Sequence, residues 1–198
     1  MNHVLRTLSA ASLLSMLVTG TAHAQADDRP VRGILGAGLT FGGEKLATAQ
    51  FTNGGSQSIR TGGLVQFYGG AEFRLGTLVT VQATAGYHVD DTSASNGSIR
   101  FSRWPLELLG HVAVNEQVRL GGGIRYINGA KLNASGAGSS IAPNVDFDAT
   151  TGVVIEGEYR FSPSFGLKLR YVTEDYTVKG TPSKFKGNHV GLMGNFYF

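Results

Sequence analysis

The 198-residue chain contains no cysteine, which excludes a disulfide framework and thiolate chemistry. Tryptophan occurs once, methionine three times and proline five times. Past the first two dozen residues, no apolar run approaches the roughly 20 residues that a membrane-spanning helix needs. Neither sign of charge dominates, with 17 Lys and Arg against 14 Asp and Glu. The basic residues are scattered, so the concentrated Lys/Arg face of a nucleic-acid-binding protein is missing. Glycine is what the chain has in excess. Its 29 copies are about twice the usual ~7% and follow no collagen period.

The N-terminus reads as a secretory signal peptide. Arg6 supplies the positive region, Leu8 to Val18 the apolar stretch, and Ala22-His23-Ala24 the small-x-small cleavage site. The apolar stretch is too short for a retained helix and is interrupted by Ser9, Ser12 and Ser15. Residues 1–24 are therefore expected to be removed, leaving about 174 residues from Gln25 onward, enough for one domain. An exported protein without disulfides needs another source of stability, and a closed hydrogen-bonded strand ladder supplies one.

Eight segments alternate apolar and polar residues with a period of two, each long enough for the ~9–11 residues of a membrane strand. They fall at about 31–48, 59–75, 78–89, 98–114, 118–132, 147–161, 165–179 and 186–198. Tight connections at Gly76-Thr77, Asn115-Glu116 and Ser162-Pro163-Ser164 alternate with longer Gly-, Ser-, Asn- and Thr-rich ones near 52–58, 90–97, 133–145 and 180–185. Three short turns on one side and four longer loops on the other are the connections of an eight-stranded antiparallel up-and-down transmembrane β-barrel, with the short turns in the periplasm. Phe41, Tyr87, Tyr126, Tyr159, Phe161, Phe165, Phe196 and Phe198 lie toward segment ends, as interfacial girdles should. Pro105 interrupts the fourth segment and predicts a bulge beside Trp104.

If Leu106, Leu108, Ile124, Val153, Ile155, Leu167 and Leu169 face lipid, the opposite faces carry charge of both signs. Glu72, Arg74, Arg103, Glu107, Arg119, Arg125, Glu156, Glu158, Arg160, Lys168, Arg170 and Glu174 are expected to line the lumen, because a charge facing hydrocarbon costs ~2–4 kcal/mol near the midplane. Eight strands enclose a space just wide enough for side chains. A packed network of ion pairs with glycines relieving the crowding is the first expectation, and a narrow solute channel is the alternative.

The common catalytic and cofactor motifs are missing from the same chain. There is no Gly-x-Ser-x-Gly elbow. Gly36-Ala37-Gly38 fails the dinucleotide fingerprint at its third glycine. His88 and His189 fall toward the outer strand ends and His111 toward the periplasmic end, a spread that argues against a shared metal. No catalytic residue, cofactor or metal site is expected. Lys45, Arg60, Lys131, Lys179, Lys184 and Lys186, among Asp90, Asp91, Asp146, Asp148 and Asp175, would form a mixed outer rim able to meet lipopolysaccharide phosphates or another surface ligand.

With the signal peptide, strand count, loop alternation and terminal Phe196-x-Phe198, the chain resembles the small outer-membrane barrel superfamily: the OmpA transmembrane domain, OmpX/Ail-type adhesins and opacity-type porins. The resemblance implies residence in the outer membrane, contact with its lipid and lipopolysaccharide, and delivery by the barrel insertion machinery. Phe196 and Phe198 would be the assembly signal, although Gly194 stands where a larger apolar residue is common. The chain is expected to lack the periplasmic peptidoglycan-binding domain of full OmpA-type proteins. It also lacks the His-x-Ser-Asn motif of lipid A deacylases and the N-terminal amphipathic helix of the acyltransferases, so the resemblance points to a non-enzymatic barrel acting in envelope integrity or surface interaction.

Overall fold

The computed structural model describes residues 29–50, 55–94 and 96–198; the expected signal peptide, residues 1–24, lies outside the described residues. The strands are β1 (Val31–Gly42), β2 (Lys45–Gln50), β3 (Ser56–Arg60), β4 (Leu64–Arg74), β5 (Val79–Ala94), β6 (Gly97–Ala113), β7 (Val118–Gly136), β8 (Val145–Asp146), β9 (Thr150–Ser162), β10 (Phe165–Thr173), β11 (Asp175–Thr177), β12 (Lys184–Lys186) and β13 (His189–Tyr197).

Eight of these close on themselves in the order β6-β5-β4-β1-β13-β10-β9-β7, with β7 returning to β6. Every wall pairing is antiparallel. First and last strands meet in register from Ile34↔Tyr197 to Gly42↔His189. Closure matters because no water in the hydrocarbon core can satisfy an exposed strand edge. The alternation then sorts the residues. Leu35, Leu39, Phe67, Leu106, Leu108, Ile124, Val153, Ile155 and Leu169 stand exposed on the outside, while Gln66, Glu72, His88, Arg103, Glu107, Arg125 and Arg170 are buried within.

The three tight turns fall where the sequence puts them. Asn115 caps its turn, its side-chain oxygen accepting from the Gln117 and Val118 amides at 2.9 and 2.7 Å. The Ser162 hydroxyl accepts from the Phe165 amide at 3.1 Å. At this end Phe161 stacks on Phe165 and Phe196 on Phe198, and at the other Tyr87 packs on Trp104 with centroids 4.8 Å apart. The bulge beside Trp104 is present: the β6–β7 register slips between Ser102 and Trp104. On the partner strand Gly129 supplies the left-handed conformation (φ 66°) that the slip requires.

The outer ends differ from the expected polar loops. β5, β6 and β7 run on for 16, 17 and 19 residues, beyond what the bilayer requires. The first segment, read as one strand over 31–48, breaks after Gly42 and restarts as the β2–β3 hairpin. The fourth loop folds into the β11–β12 hairpin. Between these pieces lies an apolar core of Ala47, Ala49, Ile59, Ile99, Phe101, Ile127, Ala130, Leu132, Ala134, Ala142, Phe147 and Tyr176. Phe101, Phe147 and Tyr176 meet edge to face at 5.3–6.0 Å. Inward alternation continues above the membrane, where water makes burial of these side chains favourable. The outer end is a folded cap.

Candidate functional site: the charged lumen

Each barrel strand points every second residue at the axis, so charges far apart in sequence converge there. At the periplasmic floor, Arg32 donates through Nε to Glu72 Oε1 at 3.1 Å, with a second, very short bond from Nη2. Arg119 donates to the other Glu72 oxygen at 2.5 Å, to Glu158 Oε2 at 2.6 Å and to the Tyr197 hydroxyl at 2.5 Å. The Tyr197 hydroxyl itself donates to Glu158 Oε1 at 2.6 Å. Both guanidiniums stack near the Tyr197 ring, 4.6 and 5.2 Å from its centroid.

Gln82 links this floor to the middle layer. Its amide nitrogen donates to Glu72 at 2.6 Å and its oxygen accepts from Lys168 Nζ at 2.8 Å. Lys168 pairs with Glu156 at 2.6 Å, and His111 Nε2 meets the same carboxylate at 2.7 Å. Arg170 bridges Glu156 (3.6 Å) and Glu107 (2.8 Å). Above it Arg125 bridges Glu107 (2.6 Å) and Glu174 (2.9 Å). Tyr176 Oη, at the base of the cap, donates to Glu174 at 2.7 Å. A continuous chain of ion pairs and hydrogen bonds therefore runs from the periplasmic mouth to the apolar cap.

This arrangement brings together Glu72, Glu107, Arg119, Arg125, Glu156, Glu158, Lys168, Arg170 and Glu174, each no more than 6% exposed. The other three residues of the expected set have different surroundings. Arg160 is half-buried and donates to the Glu116 carbonyl at 2.9 Å. Arg74 is half-buried, opposite Thr80 at the periplasmic end of the β4–β5 ladder. Arg103 is fully buried yet meets no carboxylate within 4 Å among the described residues; it lies 4.8 Å over the Phe101 ring. Arg32 and Tyr197 carry much of the floor but were absent from the sequence-derived charge set. The signal for Arg32 was its place one residue before the outward-facing Gly33.

Interior glycines make the packing possible. A Cβ at Gly36 would collide with the Tyr68 ring, one at Gly121 with the His111 ring, and one at Gly166 with the Glu158 carboxylate. His88 and His189 do approach each other at the outer end, with ring centroids 5.2 Å apart. Asp90, read from sequence as a rim residue, is instead buried. Its carboxylate accepts from the Arg60 amide at 2.8 Å, and burial raises its carboxyl above the ordinary range. The rim keeps Lys131, paired with Asp146 at 3.4 Å, while Arg60 donates to the Gly43 carbonyl at 3.0 Å.

Residues 10–196 match the family model described as the outer membrane protein beta-barrel domain. No curated protein matches the sequence. Among solved structures, the chain is similar to Ail, the attachment invasion locus protein of Yersinia pestis, in complex with the heparin analogue sucrose octasulfate. The TM-score is 0.53 at 12% identity, over 84% of this chain and 96% of that one. It is likewise similar to Neisserial surface protein A, with a TM-score of 0.52 at 10% identity, over 86% of this chain and 98% of that one. At such identities the likeness is one of fold, and it is the same eight-stranded closed barrel. Together with the family match over almost the whole sequence, this establishes that the chain belongs to the outer-membrane β-barrel protein family and resides in the outer membrane.

Proposed function

We propose that this protein is a non-enzymatic, sealed barrel that acts through its outer face, in envelope integrity or surface interaction. The supporting observation is the filled lumen: the ion-pair chain from Arg32 to Glu174 is buried along its length, and the aromatic cap lies directly above it. A hydrated conduit would leave such side chains in contact with water. The partner class that best fits the rim is polyanionic, with lipopolysaccharide phosphates first, met by Lys45, Lys131, Lys179, Lys184 and Lys186. That Ail has been captured with a heparin analogue makes a sulfated polysaccharide a reasonable second probe. Delivery by the insertion machinery through Phe196 and Phe198 belongs to the same proposal.

The deciding experiment is single-channel recording of the folded protein in a planar bilayer. The expected result is a heat-modifiable, folded barrel that stays electrically silent. Stable, charge-selective openings that change on substitution of Arg103, Glu107 or Arg125 would replace this reading with that of a narrow channel.

A further inference from the structure

The uppermost polar layer of the lumen contains more donors than acceptors. On adjacent strands β4, β5 and β6, the register aligns Gln66 with His88 and His88 with Arg103, all three fully buried. Arg103 Nη2 donates to the Gly63 carbonyl at 3.0 Å. Its Nε and Nη1, and the amide nitrogen of Gln66, find no acceptor among the described residues.

His88 cannot make up the shortage. Its Nε2 lies 2.8 Å from Arg103 Nη2 and 2.7 Å from Thr40 Oγ1, and its Nδ1 lies 3.0 Å from Arg125 Nη2. A guanidinium only donates, and a neutral imidazole offers one lone pair. Whichever nitrogen carries the proton, one guanidinium N–H faces another N–H.

Charge tells the same story. Among the described residues, the buried side chains include the cations Arg32, Arg103, Arg119, Arg125, Lys168 and Arg170, five glutamates that pair directly with all of them except Arg103, and Asp90, which makes no ion pair. The carboxylates acting on Arg103 at longer range are Glu174 and Asp90. Both Glu174 oxygens are engaged, by Arg125 and by Tyr176, and Asp90 holds the Arg60 amide. A buried charge without a partner is strongly disfavoured. A water molecule would satisfy N–H groups but leave Arg103 without a counter-ion in contact.

We infer that this layer binds one small monovalent anion of halide size, held by Nε and Nη1 of Arg103 with the Gln66 amide and sealed beneath Phe101 and Tyr176. Both donors are fully buried beneath the aromatic cap, which favours the smallest ligand, a monoatomic ion. Anything larger would have to displace the aromatic cap.

Two measurements test this. Crystals of the folded protein grown in sodium bromide should show an anomalous peak in contact with Arg103. In lipid vesicles at constant ionic strength, replacing sodium gluconate by sodium bromide or chloride should raise the thermal midpoint saturably, by on the order of a few degrees. Arg103→Gln should abolish that dependence. If this variant does not fold, the anomalous map and the wild-type titration still decide. Bromide at surface positions alone, an adventitious ion only, overturns the proposal, as does a midpoint indifferent to halide.

Discussion

Replacing Arg119 by methionine separates a dry lumen from a wet one. The guanidinium engages Glu72 at 2.5 Å and Glu158 at 2.6 Å, and all three side chains are no more than 3% exposed. Glu72 keeps Arg32 after the substitution, but among the described residues no ion pair other than that with Arg119 is seen at Glu158. Its remaining donors are the Tyr197 hydroxyl and, at 3.3 Å, the Asn195 amide. Removing one member of a buried pair leaves an uncompensated charge and costs about 3–5 kcal/mol. Adding Glu158→Gln to Arg119→Met removes that charge, so the double variant should be more stable than Arg119→Met alone. The assay is a urea titration of protein folded into lipid vesicles, followed through the single tryptophan, Trp104, which is exposed on the outer surface. A loss below about 1 kcal/mol, the value typical of solvated pairs, with no recovery in the double variant, would refute the claim that the lumen excludes water.

Three further outcomes are expected. Gly121→Ala puts a methyl group into the His111 ring and should destabilise the barrel by about 1–3 kcal/mol, read as a lower urea midpoint. Phe101→Ala removes the ring shared by Phe147 and Tyr176; protease should then cut the outer hairpins faster while the heat-modifiable barrel persists, and equal cutting would mean that the cap does not depend on this cluster. The mature protein isolated from outer membranes should begin at Gln25 by mass spectrometry, and an intact Arg6 region would remove the signal-peptide assignment.

Much of this architecture is legible because the rules that govern it are local. A strand turns its residues alternately to two media, so the Leu106-Glu107-Leu108 pattern identifies lipid and lumen faces without reference to any other strand. The same locality makes Asn115-Glu116 a turn and Pro105 a bulge. It also explains the errors. The outer connections appear polar by composition, yet Ile59, Ile99, Phe101, Leu132, Phe147 and Tyr176 sit at the outer ends of the strand segments and become a core only when those ends converge. Asp90 looks like a rim residue until the β5 ladder carries it inward beside Arg60.

What the sequence determined by itself, then, was the class of fold, the membrane and which side chains face the axis. Tertiary structure decided which charge meets which. Arg119 reaches Glu72 across 47 positions of chain, and Arg170 reaches Glu107 across 63. Those pairings depend on the stagger at which the ladder closes and on which strands lie opposite across the lumen. No residue pattern within a strand encodes either quantity. The same closure left Arg103 without a carboxylate in contact among the described residues, because partner supply in a barrel is set by the ring as a whole.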